Sequence, residues 1–547
     1  MENGSNHNKQ VSSGDCQPSD QTTDPASTGA DAKNGRSRRS LLRGTAIAGA
    51  STVGLLSAAS MSGAAFHEGY DNVVNVVDAG ADRTGGESIT PVLEDLRADN
   101  TAFKFPEGRY YMDSQFRFTG FDNIGFFGHD ATLVPANYYN FDGPQYRLFR
   151  LGVSYSPGGR LRFRGFDIDQ TASNTGIRVI EANVSDDLKV EDINIRGEHD
   201  SGTWGPGMFT ITDPNGRGVV ERFRAPDGGV HADETPNAGN IWRGPIGIEA
   251  NTNVGHLEFK DCELGGFPDN GLYATNEDGT YVVDGGVFKN SNGANVRVGG
   301  QGSEIRDPTV VIDETGPHDR SQRGVRIESG DDLLISGADI TITSPQPTSH
   351  AVSVMNSCKS STIEDTSIEI SGDRVNHGIV VSPEAGETEI HRTDVVHEAA
   401  GGYPLWIREG DKRDRVLASE LSVSGSAGDK HGFRDGIRCG RDNCRFQYID
   451  VDQPGRNGVD RNGLVVSGSD TTVYQGTFRA SFHPYVDQGS DNHVRNADLE
   501  SYDHGREAIQ LYPDVTNAAF RVNRIVNGYR DHGASGTVTW NNTYESH

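Results

Sequence analysis

A short pattern recurs along most of this chain and leaves few folds open to it. The segments Gly247-Ile-Glu-Ala, Gly271-Leu-Tyr-Ala, Asn295-Val-Arg-Val, Gly324-Val-Arg-Ile and Ala351-Val-Ser-Val share one form. So do Gly378-Ile-Val-Val, Pro404-Leu-Trp-Ile, Gly436-Ile-Arg-Cys, Gly463-Leu-Val-Val and Ala508-Ile-Gln-Leu. Neighbouring copies are similarly spaced, except for a longer last gap that holds a degenerate copy at Pro484-Tyr485-Val486. Gly176-Ile-Arg-Val and Gly207-Met-Phe-Thr read as earlier copies. A small residue followed by apolar, variable, apolar is a short strand of period two. After each copy comes a turn with Asn, Asp or Gly, which tolerate the left-handed backbone of a sharp corner, and then a second strand. Asp187, Asp332, Asp442 and Asp491 open such second strands.

Two to three short strands per ~27 residues cannot bury a core alone, so neighbouring units must stack. The expected fold is all-β: a parallel β-helix of ten or more rungs around an apolar column of Ile, Val and Leu. A β-sandwich gives no reason for the self-similarity. A propeller blade needs roughly 40–45 residues with aromatic signatures that are missing here.

This architecture reconciles an unusual composition. Only 34% of the 547 residues are hydrophobic, 69 are Gly, and 50 basic residues face 78 acidic ones for a net charge of −28. Nine of the basic residues are Lys and the rest Arg. Such a chain is no general nucleic-acid binder, because phosphate neutralisation needs positive surface. Apart from one stretch near the N-terminus, the sequence holds no apolar run long enough to span a bilayer, so it is no polytopic membrane protein. Acid excess with so little Lys reads as solubility at very high salt, the habit of an extreme halophile.

The chain up to Ala65 lies outside the repeat. Residues 1–35 are polar and read as a disordered tail. Residues 36–65 carry Ser37-Arg38-Arg39-Ser40-Leu41-Leu42-Arg43 ahead of a Gly/Ala-rich apolar stretch. The Arg38-Arg39 pair before such a stretch reads as a twin-arginine export signal, with the export machinery as partner and cleavage after Gly63-Ala64-Ala65. The mature chain, 66–547, is then one secreted or cell-surface domain with no transmembrane segment. Of the cysteines, Cys16 precedes the signal, Cys262 and Cys439 fall at inward positions, and a Cys439–Cys444 disulfide stays open for an exported protein.

Residues 73–111 read VVNVVDAGADRTGGESITPVLEDLRADNTAFKFPEGRYY. A strand runs into Gly80-Ala81-Asp82, a helix over Ile89–Asp99 follows, and Phe105-Pro106-Glu107-Gly108-Arg109-Tyr110 opens the rungs. With the repeat, this resembles the right-handed parallel β-helix, pectin-lyase-like superfamily over residues 70–545. The resemblance implies that the helix caps the open end of the column. It leaves chemistry open, because that superfamily holds lyases, glycoside hydrolases, epimerases, esterases and non-catalytic adhesins. The polygalacturonase-type set lacks its Asn-Thr-Asp here; Gly330-Asp331-Asp332 sits where corners occur, and Asn376-His377-Gly378 is the one remaining hint.

The repeat itself supplies the candidate site. Equivalent positions of stacked rungs form columns ~4.8 Å apart. The variable strand position gives Arg178, Glu249, Tyr273, Arg297, Arg326, Ser353, Val380, Trp406, Arg438, Val465 and Gln510, which the alternation points to solvent. The residue before each copy adds Arg323, His350, His377, Tyr403 and Asp435, and the following positions add Glu328 and Arg408. The expected catalytic groups are His350, His377, Arg326, Asp435 and Arg438. The expected substrate-binding groups are Arg297, Arg323, Glu328, Tyr403, Trp406, Arg408 and Arg461. Arg holds carboxylates bidentately, Trp and Tyr stack on sugar rings, and His exchanges protons near neutral pH. The partner they imply is an acidic, uronate-containing polysaccharide or cell-surface glycan, met by lyase, epimerase or hydrolase chemistry. A non-catalytic adhesive role is the alternative reading. No cofactor is called for, with calcium the one ion left open. The stretch Glu198 to Gly244, with Trp204, His231, Asp233, Glu234 and Trp242, reads as a loop overhanging the groove.

Two outcomes check the flanking assignments. Replacing Arg38 and Arg39 together by Lys should leave the protein inside the cell, as followed by fractionation; undiminished export refutes the signal. The thermal midpoint should climb steeply between about 0.1 and 3 M KCl, where the Debye length falls from about 10 Å to below 3 Å. A midpoint indifferent to salt refutes the halophilic reading.

Overall fold

The computed structural model describes residues 69–141, 146–235, 243–343 and 349–547. The tail, the signal with Arg38 and Arg39, Cys16 and Trp242 lie outside the described residues.

One turn shows how the sequence builds the rest. Strands Arg323–Gly330, Leu333–Ser336 and Asp339–Ile342 follow one another with sharp corners between. Alternation sends Val325, Ile327, Leu333, Ile335, Ile340 and Ile342 into the core, all 3% exposed or less. The next turn lies parallel on it, with Val325 beside Val352, Leu333 beside Ser361 and Ile340 beside Ile368. Repeated along the chain, this makes a parallel β-solenoid of about 16 turns. Backbone N–H and C=O groups are satisfied between turns rather than within them, so each turn depends on its neighbours.

The corners use left-handed residues where the sequence places them, except that Asn443 rather than Asp442 takes that conformation. Asp187, Asp332, Asn443 and Asp491 have φ between 51° and 60°. The Asp332 N–H donates to Ser360 Oγ at 2.7 Å, and that hydroxyl donates to Asp331. Gly330-Asp331-Asp332 is therefore corner chemistry. Cys262, Cys358, Cys439 and Cys444 are buried free thiols, so the Cys439–Cys444 disulfide is not formed.

Several expectations need correction in the first turns. The column there adds phenylalanine to the expected aliphatic residues such as Ile124, Leu133, Leu148 and Ile168: Phe103, Phe116, Phe126, Phe149, Phe163 and Phe166 pack with ring centroids 4.9–6.4 Å apart. The Gly176 copy is out of register. Arg178 pairs with Arg147 and is buried, while Glu181 stands between Arg150 and Met208. The Gly207 copy slips by one residue: Met208 pairs with Glu249, which sends Phe209 into the core. A one-residue slip moves a whole strand to the other face, so burial identifies the true frame. Among the described residues helix is almost absent. The expected helix shortens to Thr90–Asp95, which buries Leu93 beside Ile89. The stretch after Glu198 contains a turn of its own, Gly207–Ile211 and Arg217–Ala225, before it loops. Among the described residues, no helix is long and apolar enough to cross a membrane.

Candidate functional site

In-register stacking turns the variable strand positions into a column. Tyr273, Arg297, Arg326, Ser353, Val380, Trp406, Arg438, Val465, Val486 and Gln510 stand each beside the next. A second column runs Arg323, His350, His377. The columns are those of the sequence frame, but their exposure is not. Ser353, Val380 and Val465 are covered by neighbouring side chains and are at most 2% exposed.

Two polar neighbourhoods result. In the first, Glu328 is clasped by two guanidinium groups. Arg297 Nη2 lies 3.0 Å from its Oε1 and Arg326 Nε 2.5 Å from its Oε2. Burial alone would raise the Glu328 pKa; the Arg326 and Arg297 charges outweigh that and hold it below the usual carboxylate value. Arg297 also lies over the Tyr273 ring at 4.4 Å. Half-buried Arg323 has its pKa lowered to about 10 by burial, and its Nε has no hydrogen-bond partner among the described residues. Asp269, which the sequence frame misses because it lies two residues before its copy, is buried, and burial raises its pKa to about 6 against the opposing charge of Arg297.

In the second, aromatic rings gather around His377. Its ring centroid lies 5.6 Å from Tyr403, 5.0 Å from Trp406 and 5.2 Å from Phe433. His350 is the turn before, at 5.5 Å. His377 Nδ1 accepts the Tyr403 N–H at 3.1 Å, and His350 Nδ1 contacts Ser353 Oγ at 2.9 Å. Burial sets the charge state of the two histidines expected to exchange protons. Burial, reinforced by Arg408, lowers His377 to about 3; burial, with Arg323 next, lowers His350 well below its ordinary value. They are neutral ring-packing groups at physiological pH.

Beside this cluster opens a groove of about 510 Å³. Tyr403, Trp406, Arg408, Arg434, Asp435 and Arg438 line one part, and Asn462, Gln488, Gln510 and Tyr512 another. Arg408 lies over the Trp406 ring at 5.3 Å, and Arg434 over Phe482 at 5.3 Å. Neither Arg408 nor Arg434 has a carboxylate partner among the described residues. Asp435 is 5% exposed and accepts from Asn462 Nδ2 at 2.9 Å, with Arg438 Nη1 at 3.6 Å. Burial still raises its pKa, so this carboxyl keeps a proton nearer neutrality than an exposed Asp does. Phe433 and Arg434 carry no mark in the sequence, since they sit off the repeated positions, whereas Tyr512 holds the place in its copy that Glu328 and Arg408 hold in theirs.

Arg461 is not a substrate ligand. It is fully buried, and its guanidinium donates to the carbonyls of Gly402, Gly428, Phe433 and Asp435 and to Gln453 Oε1 at 2.7–3.2 Å. It braces the floor of the groove from inside.

No family model matches the chain, and no curated protein matches it. Solved structures that align include the surface protein and adhesin PfbA of Streptococcus pneumoniae, at 9% identity and TM-score 0.33, covering 86% of this chain and 100% of that one. The catalytic unit of the GH87 alpha-1,3-glucanase of Streptomyces thermodiastaticus aligns at 11% and 0.25, covering 87% and 70%. The A-module of the mannuronan C-5 epimerase AlgE4 of Azotobacter vinelandii aligns at 10% and 0.27, covering 87% and 98%. Scores this low carry nothing over to this chain, whose fold and site rest on the register and side chains above.

The two kinds of arginine separate in one experiment. Arg461→Ala takes the guanidinium from Gln453 Oε1 and from the buried carbonyls of Gly402, Gly428 and Asp435, at about 1–3 kcal/mol for each acceptor left unpaired, and should lower the unfolding midpoint sharply. Arg408→Ala should leave it within about 0.5 kcal/mol of the parent. Equal stability of the two variants in denaturant titration refutes the bracing role.

Proposed function

We propose that this face of the solenoid holds an acidic, uronate-containing polysaccharide, and that Asp435 performs proton transfer on it. The observation that carries the reading is local. In a chain of net charge −28, Arg408 and Arg434 stand without carboxylate partners in a groove floored by Tyr403 and Trp406. Unpaired guanidinium groups beside aromatic faces suit carboxylate-bearing sugars, the cation taking the carboxylate bidentately and the ring stacking on indole or phenol. Arg323, with an unsatisfied Nε, extends the same preference two turns before His377.

The chemistry centres on the pair Asp435 and Arg438. A buried carboxyl with a raised pKa is suited to exchange a proton near neutrality. In lyase or epimerase chemistry it takes the C5 proton of a uronate while Arg438 stabilises the charge that develops on the sugar carboxylate. In hydrolysis it donates a proton to the leaving oxygen. Arg297 and Arg326 are engaged by Glu328, so their part is to shape the face. His350 and His377 pack its aromatic floor. The protein acts outside the cell, after twin-arginine export.

A second reading is a non-catalytic glycan-binding surface of an adhesive protein. It is favoured by the neutrality of both histidines, which leaves Asp435 as the one expected catalytic group with a pKa raised toward neutrality.

Affinity electrophoresis and product assays with polyuronates in high salt distinguish the readings. Arg408→Ala and Arg434→Ala should each weaken polyuronate retention about tenfold, the loss of one charge-assisted contact. Asp435→Asn should keep retention and lower the release of unsaturated or reducing ends at least ~100-fold. Retention without product from the parent protein establishes the adhesive reading. Retention of neutral glucan as strong as that of polyuronate refutes the acidic-polysaccharide reading, and retention of no glycan refutes both.

A further inference from the structure

A second set of ligands lies away from this face, on two loops that the stacking does not bring together. The first loop follows strand Arg217–Ala225 and carries His231, Asp233 and Glu234. The second follows strand Thr309–Ile312 and carries His318. Register places Arg224 beside Glu263, Glu263 beside Val287, and Val287 beside Thr309. The loops thus leave the solenoid three turns apart, roughly 14 Å along its axis. Their imidazole rings nevertheless stack, with centroids 4.5 Å apart and planes 23° from parallel.

We infer that this junction is a binding site for a divalent transition-metal ion such as Zn²⁺. Ligand atoms of His231, Asp233 and His318 all lie within 4.8 Å of one another. Glu234 Oε1 is 3.1 Å from His318 Nε2, and His231 Nδ1 accepts the Asp233 N–H at 3.2 Å with the Asp233 carboxylate 3.6 Å away. A metal taken at Nδ1 replaces that N–H as the partner of the lone pair, with the Asp233 carboxylate already close by. Metal–ligand bonds of about 2.0–2.2 Å bring such atoms to roughly 3.4 Å in a tetrahedron, so the side chains close by about an ångström. Asp233 and Glu234 are exposed enough to swing inward.

Charge and ligand type agree. The adjoining groove, about 590 Å³, is lined by Glu198, Asp227, Asp313, Glu314 and Asp319 against Lys289, and it shares no residue with the groove beside Trp406. A dication relieves that local excess of negative charge. Two imidazole nitrogens select a transition metal over Ca²⁺ or Mg²⁺, which take oxygen sets. Bound there, the ion ties the 231–234 loop to the 318 loop across three turns.

The test uses the full chain stripped with chelator and dialysed. Titration with ZnCl₂ by calorimetry should give one equivalent, and CoCl₂ should produce visible ligand-field bands. Loss of even an outer partner of a metal site costs about 10–100-fold in affinity, so His231→Ala and His318→Ala should each cost at least ~100-fold. His129→Ala, an exposed histidine outside the cluster, should change nothing. Circular dichroism confirms that the loop variants stay folded. No saturable binding, undiminished binding in the His231→Ala/His318→Ala double variant, or displacement of Zn²⁺ by equimolar CaCl₂ each overturns the inference.

Discussion

The in-register parallel ladder is the interaction on which everything else depends. Hydrogen bonds of each turn are completed only by the turns on either side, so position along one strand is copied to the next at ~4.8 Å. Side chains a full repeat apart in sequence become direct neighbours. Tyr273, Arg297 and Arg326 meet for this reason alone, as do Arg323, His350 and His377. A site on such a frame is assembled from many turns and needs no loop to carry its residues together.

The same frame decides what charge does here. Outward positions and corners can hold acid without entering the core, which is how a chain with 34% hydrophobic residues and a net charge of −28 encloses an apolar column. Arginine is then consumed in three ways. Some guanidinium groups neutralise carboxylates, as Arg297 and Arg326 do for Glu328. Others satisfy backbone, as Arg461 does. Arg408 and Arg434 do neither, and what sets them apart from other unpaired arginines is their place in a groove beside Trp406 and Tyr403.

From Glu249 onward the columns were legible in the sequence because the turns there are nearly constant in length, with few insertions. Earlier, glycine misled. A Cβ on Gly176 would stand 2.3 Å from Glu198 O and from the Asp200 N, so that glycine answers a close approach of chains and does not mark a strand. Burial of the columns was illegible, since alternation tells which way a side chain leaves the backbone and not what closes over it. Val380 and His377 leave the strand as expected and are then covered, His377 by Tyr403, Trp406 and Phe433. Arg461 failed for a related reason: a cage of carbonyls has no sequence pattern, because every residue carries one.

Arg461 and Arg441 also bear on how the stack holds together over distance. Arg461 reaches Gly402, 59 positions earlier, and Arg441 reaches Ser382 and Ala385, 59 and 56 positions earlier. Each bridges about two turns, whereas a solenoid is ordinarily a chain of nearest-neighbour contacts whose units fray one by one. Next-nearest coupling of this kind makes several consecutive turns rise or fall as one unit. It also gives that unit a direction in time: the carbonyls are laid down before the arginine that closes on them leaves the ribosome, so the floor beneath Trp406 is completed from its C-terminal side.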